Sequence, residues 1–286
     1  MRPGIYPDMA AEAYHADEDG PSLSASIAHI LDTRSPLHAW TAQPKLNPDY
    51  ERETEPKFDL GTCVHALFLQ GIDVAHVGHY DNWRSNDAKA FAAEARMDGR
   101  IPLLAKDYER VQAMHAAMTK KITEYDVDPP LFTAGREEVT LVWHEDDVTC
   151  RARIDWLTDD HSVIEDVKST SRSAEHAAFA RRIPDLGYDL KAAFYLRGLK
   201  ALTGVDATFR WTVIETQPPY ELSVVTPGPD VLALGEAKVE RALRIWRECL
   251  STGRWPGYER RLAVAELPGW EETRFLEREA REEIPA

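Results

Sequence analysis

The segment 135–170, GREEVTLVWHEDDVTCRARIDWLTDDHSVIEDVKST, constrains the fold more than any other. Its alternating apolar and polar residues predict strands at 136–144, 148–157 and 162–168, with connections too short for an intervening helix, so the three must form a meander. In the second strand Val148, Cys150, Ala152, Ile154 and Trp156 share a mostly apolar side, the expected core face, while Arg151, Arg153 and Asp155 take the other. With His144–Asp147 as the hairpin connection, Trp143 faces Val148 and Glu138 faces Arg153, which places Glu138, Arg153 and Asp155 on one surface; a slip of one residue would invert the faces. In the third strand Ile164, Asp166 and Lys168 share a face, and Val163, Glu165 and Val167 share the other.

Two acids and a lysine at the ends of adjacent strands suit phosphodiester hydrolysis. A hard cation such as Mg²⁺ takes a few carboxylate oxygens and keeps room for water and a phosphate oxygen, the role that Asp155 and Asp166 fit. A lysine beside it orients or deprotonates the attacking water, which fits Lys168. Alone, an aspartate and a lysine two apart on a strand are ordinarily a solvated ion pair worth ~0.5 kcal/mol.

The order of further short motifs carries more weight: Tyr14-His15, Ser22–Ser26, Ser35–Trp40, Leu60–Leu67, Glu138, Cys150–Asp155, Asp166–Thr170, Tyr188–Tyr195, Trp255-Pro256 and Leu267-Pro268. In these the chain resembles the PD-(D/E)xK nuclease superfamily, within its RecB-like branch the RecE-type exonuclease domain. The resemblance implies an α/β fold with a restriction-endonuclease-like core, a central mixed sheet flanked by helices. It implies metal ligation by His65, Asp155, Asp166 and the main-chain carbonyl of Val167, a catalytic Lys168, and Glu138 as a further acid. The family also carries a glutamine and a tyrosine on the following helix; here Tyr195 matches, but Lys191 stands at the glutamine position. The implied function is Mg²⁺-dependent exonucleolysis of linear duplex DNA, with Mn²⁺ able to substitute, 5′-to-3′ polarity and a role in phage or prophage recombination. Implied partners are a RecT-like single-strand annealing protein and further copies of the chain in a ring. The enzymatic alternative is a RecB- or Cas4-like endonuclease or end processor without an iron–sulfur cluster. The alternative from another class is an inactive DNA-binding or assembly subunit, against which stands the joint presence of His65, Asp155, Asp166 and Lys168.

The residues themselves support some of these roles more than others. Residues 57–70 read as a short apolar helix in which His65 is the polar exception, and Gly61 one turn earlier removes a side chain beside it. Over 188–202, Tyr188, Lys191, Ala192 and Tyr195 recur at helical spacing; aromatics in such stripes are usually core. Arg151, Arg153, Lys191, Arg172, Arg181 and Arg182 are candidate phosphate contacts, as are Arg34, His38 and Trp40 for DNA. Ser24 and Ser26 are expected to cap a first helix, and Ser35, followed by Pro36, a second.

Composition sets outer limits. The 286 residues, 43% of them hydrophobic, suffice for one large domain: a helical portion to about residue 130, a catalytic sheet core at about 131–255 and an acidic tail. No apolar run is long enough to span a bilayer and the N-terminus lacks a secretory pattern, so residence in the cytoplasm is expected, and the resemblance implies that the cell is a bacterial host. Three scattered cysteines, Cys63, Cys150 and Cys249, cannot build a four-cysteine iron–sulfur cluster. The net charge of −15 opposes DNA association at long range. Screening confines that opposition to roughly 8 Å at physiological salt, leaving the outcome to local charge. Much of the acid is peripheral, at Glu51, Glu53 and Glu55 and in the tail from Glu271 to Glu283. The remaining expected elements are helices at 22–42, 86–97, 104–124 and 229–251 and strands at 207–215 and 220–225, with 44–56 as a flexible connection.

Overall fold

The computed structural model describes residues 1–17, 20–50 and 59–282. The acidic loop with Glu51, Glu53 and Glu55, the first two residues of the helix expected at 57–70, and Glu283 lie outside them. The elements are β1 (Gly4–Tyr6), α1 (Ala11–Ala16), β2 (Leu23–Ser24), α2 (Ala25–Thr33), α3 (Pro36–Thr41), α4 (Asp59–Gln70), β3 (Ala75–Gly78), α5 (Asn86–Met97), β4 (Ile101–Leu104), α6 (Ala105–Lys121), β5 (Gly135–Glu145), β6 (Val148–Thr158), β7 (Val163–Thr170), α7 (His176–Ala180), α8 (Tyr188–Thr203), β8 (Thr208–Glu215), β9 (Leu222–Val225), α9 (Pro229–Thr252) and α10 (Gly269–Glu282). They fall into two compact units, residues 1–256 and 257–286, the second containing α10. Among the described residues no helix is long and apolar enough to cross a membrane.

The first unit is a mixed α/β structure around a seven-stranded sheet ordered β1-β5-β6-β7-β8-β9, with β2 paired parallel to β6. The strands β5, β6 and β7 form the expected antiparallel meander, and β8 runs parallel to β7 after the crossover through α7 and α8. One core packs α2, α8 and α9 on the sheet through residues such as Leu31, Phe194, Trp246, Trp143, Ile154 and Trp211. The other packs α4 and α6 through Val64, Met114, Met118, Val167 and Ile214. A small parallel sheet, β3 with β4, carries α5 beside this second core.

The β5–β6 register differs from expectation by two residues: Glu145 pairs with Val148 and Trp143 with Cys150. A two-residue connection, Asp146-Asp147, closes the hairpin with Asp146 at φ +55°, so the turn is tighter than four residues. A shift of two preserves which face each residue occupies, and it sets Thr140 rather than Glu138 opposite Arg153. Glu138 itself adopts φ +55°, and the ladder skips from Glu137–Trp156 to Val139–Ile154. The expected alternation also breaks here. Val148, Cys150, Ala152 and Ile154 are buried as predicted, but Trp156 is only half-buried and joins Phe132 on the α4–α6 side, while Leu157 enters the first core.

The helical stretch expected at 22–42 holds the two expected helices, α2 and α3, separated at Arg34 and Ser35. Ser24 caps the first by accepting the Ile27 N–H, whereas the Ser35 hydroxyl bonds the His38 ring at 2.7 Å instead of a backbone amide. Gly61 does not open space: a methyl there would lie 2.7 Å from the Ser169 hydroxyl, so the missing side chain lets α4 close on the end of β7.

Candidate active site

The ladder between β6 and β7 consists of Trp156–Glu165 and Leu157–Ile164. The next position in that register would oppose Asp155 to Asp166, and there the strands part. The Asp155 side chain substitutes for the ladder: its Oδ2 accepts the Val167 N–H at 2.9 Å. The two aspartates thus flank an opening in the sheet, which α4 and α8 approach from either side.

From α4, His65 sets Nε2 3.1 Å from Asp155 Oδ2 and Nδ1 3.5 Å from Glu138 Oε1. The left-handed backbone at Glu138 accompanies this reach, and its other oxygen pairs with Arg153. From α8, the Lys191 ammonium pairs with Asp166 Oδ1, stands 4.0 Å from Asp155 Oδ1 and lies 5.0 Å from the centre of the Tyr195 ring. On β7, Lys168 pairs with Asp166 Oδ2 and donates to the Val167 carbonyl at 3.2 Å. The Tyr188 ring is 5.4 Å from the Lys168 ammonium.

The electrostatics follow from this crowding. Burial favours a neutral Asp155, but the charges of Lys191, His65 and Lys168 outweigh it and hold the carboxyl below the usual carboxylate range. Burial lowers the Lys168 ammonium and the neighbouring Lys191 charge adds to that, so the net shift is downward despite Asp166. For Lys191 burial acts downward too, yet Asp166, Tyr195 and Asp155 raise it well above the ordinary lysine value. Burial likewise acts against the charged form of His65, and the Asp155 and Glu138 charges overcome it and raise the imidazole.

Lys168 and His65 open onto a groove of about 860 Å³, whose walls also include Trp83, Arg110, Thr170, Arg182 and Tyr188. Arg182 is fixed there by donating to the Thr170 hydroxyl at 3.1 Å. The other candidate phosphate contacts differ in place. Arg151 is turned inward to the Tyr14 carbonyl and Asp17, Arg153 is taken by Glu138, and Lys191 is taken by Asp166, while Arg172 and Arg181 are exposed. Arg34, His38 and Trp40 are not among the groove-lining residues. Trp83 and Arg110 escaped the sequence analysis. Trp83 sits in the turn before α5 and Arg110 on α6, and helical periodicity says nothing of which residue faces a groove.

Among the described residues, no cluster of three or more His, Cys, Asp or Glu side chains is preformed for a metal ion. The acid oxygens instead face ammonium, imidazole and amide groups. The donor set is nevertheless compatible with a hard divalent ion: carboxylate oxygens from two strands, a main-chain carbonyl turned to the same side, and an imidazole. The Lys191 ammonium lodged beside both aspartates shows that the position draws a cation.

The family model of a PDDEXK-like domain of unknown function, DUF3799, matches residues 34–264. The chain belongs to this PDDEXK-like family. The structure resembles that of a protein from Eubacterium rectale provisionally assigned as an exonuclease, at 14% identity and a TM-score of 0.62, over 93% of this chain and 98% of that one. At that identity the likeness shows the shared fold, a mixed sheet flanked by helices. An alkaline exonuclease from Laribacter hongkongensis is more distant, with 15% identity, a TM-score of 0.28 and coverage of 59% of this chain and 85% of that one. So is a phage related exonuclease from Haemophilus somnus, with 11% identity, a TM-score of 0.30 and coverage of 72% and 98%. No curated protein matches the sequence.

On the face of β7 opposite Asp166, Glu165 is fully buried. Its Oε1 accepts the Phe132 N–H at 3.0 Å, Arg210 stands 3.9 Å away, and Oε2 meets no hydrogen-bond donor among the described residues. Burial pushes this carboxyl from 4.5 up to about 7, with the Phe132 amide and Arg210 offsetting part of the rise. The folded state therefore holds the proton more tightly than the unfolded chain. The resulting stability is complete below 4.5 and is lost as pH climbs to about 7, about 3 kcal/mol in all. Glu165→Gln is expected to flatten the fall in stability between these pH values and to be the more stable protein at pH 8, as urea unfolding would show. An unchanged slope in the variant would assign the pH dependence to another group.

Proposed function

We propose that the protein is a Mg²⁺-dependent exonuclease that degrades linear duplex DNA from its ends. The observation that carries the proposal is the opening between β6 and β7, where Asp155 and Asp166 contact His65 and Lys168, the two side chains that line an open groove. The fold supports the same assignment.

His65, Asp155, Asp166 and the Val167 carbonyl would hold the metal, whose contribution when bound is to neutralise charge developing on the scissile phosphate. The chain's own residues do the rest. Lys168 lies at the groove wall with its proton affinity lowered, the condition for taking a proton from an attacking water. Its position is fixed by the Asp166 carboxylate and the Val167 carbonyl. Glu138 orients the His65 ring from the side opposite Asp155, and Arg153 in turn holds Glu138. Arg182 and Arg110 line the groove with positive charge suited to the sugar–phosphate backbone, and Tyr195 stays buried beneath Lys191 as packing support.

We further propose 5′-to-3′ resection for phage-type recombination in a bacterial cytoplasm, in concert with a single-strand annealing protein and as a homo-oligomer. The resemblance in motif order supports these. Digestion of linear and covalently closed circular duplexes, with Mg²⁺, Mn²⁺ or EDTA, tests the central claim. Linear DNA should be consumed in either metal, the closed circle should persist, and EDTA should stop the reaction. Rapid scission of the circle would make the protein an endonuclease instead.

A further inference from the structure

Lys191 is held by carboxylates and not turned into the groove. Lys168 and His65 line the groove and Lys191 does not. Its ammonium is instead enclosed by Asp166, Asp155 and the Tyr195 ring. The acids of the cluster already face cationic or donor groups within the chain: Asp155, Asp166 and Glu138 are met by Lys168, Lys191, Arg153 and the His65 imidazole. A divalent ion entering this cluster adds two positive charges a few ångströms from an ammonium anchored on α8, in partly buried surroundings where solvent screens the repulsion less than at the surface. A glutamine at the same position would bring no such charge. A DNA phosphate in the groove supplies negative charge that offsets the excess.

We infer that Lys191 is a built-in cation that competes with the metal for Asp155 and Asp166, so that the metal loads efficiently only together with the substrate's phosphate. The inference rests on the metal-nuclease assignment above and adds to it a coupling between metal and DNA binding. It predicts a protein that stays largely metal-free at low divalent-ion concentration until an end is engaged.

The test measures Mn²⁺ binding to the full chain by electron paramagnetic resonance of the free ion, without DNA and with a blunt duplex whose end linkages are cleavage-resistant phosphorothioates. Wild type, Lys191→Gln, Lys191→Met and Asp166→Asn are compared. Both Lys191 variants should bind Mn²⁺ about tenfold or more tightly than wild type in the absence of DNA. The tightening produced by the duplex should be large in wild type and much smaller in the variants. Equal affinities across wild type and both Lys191 variants, with binding lost in Asp166→Asn, would overturn the role of Lys191 and leave the metal site standing. Binding in Asp166→Asn as tight as in wild type would remove the metal site itself, and the inference with it. If Lys191→Met does not fold, as its melting curve would reveal, the glutamine variant alone decides.

Discussion

Lys168→Ala is expected to lower turnover on linear duplex DNA by about 10²–10⁴-fold, the contribution of one well-placed proton-transfer group. Asp166→Asn should fall at least as far. The amide keeps the size of the side chain while removing the charge that positions both Lys168 and Lys191. The two variants separate on a second measurement. Lys168→Ala removes a half-buried ammonium from the groove wall and should melt close to wild type. Asp166→Asn leaves two ammonium groups facing each other and should melt lower. In the proposed mechanism both groups act on one phosphate, so the double variant should be little worse than the poorer single one. Undiminished digestion in both single variants would place the active site elsewhere.

The largest effect on stability is expected where α9 packs on α8, at Lys238→Met. Asp189, in the first turn of α8, is completely buried and receives no hydrogen bond from a main-chain amide or neutral side chain among the described residues. The Lys238 ammonium on α9, 2.7 Å from Oδ2, supplies the compensating charge. Removing it strands a carboxylate in the interior, at a cost of about 3–5 kcal/mol, or on the order of 10 °C in Tm. No adjustment of the helices can relieve this. Gly235 brings α9 so close to α8 that a methyl there would lie 2.2 Å from the Asp189 carbonyl. Adding Asp189→Leu should restore part of the loss, since two apolar groups then replace an unpaired charge. A calorimetric scan of the single and double variants checks this, and no drop in the single variant would show that water reaches the carboxylate.

The meander, the long helices α8 and α9, and the strand pair carrying Asp155 and Asp166 could be recognised from the residues because each is long enough for its periodicity to be unambiguous. The two-residue error in the hairpin arose because Asp146 takes a left-handed conformation that no local pattern demands. The strands β1, β2, β3 and β4 have two to four residues and no periodicity to read, so the small sheet that contributes one wall of the groove was invisible. The candidate arginines illustrate the remaining gap. Sequence records a positive charge, whereas its availability depends on whether an acid such as Glu138 or Asp17 has already claimed it. Lys191 shows the same limit in reverse. Its identity was plain, and its position between two carboxylates required three elements to be assembled.

Asp155 has a second employment that bears on how such chains should be compared. By accepting the Val167 N–H where two strands separate, its carboxylate splints the sheet independently of any reaction. A descendant that had abandoned hydrolysis would still suffer for losing it, so the persistence of this aspartate is poor testimony to activity. Lys168 closes no such seam. Its retention or disappearance is the better witness to whether a relative still cuts.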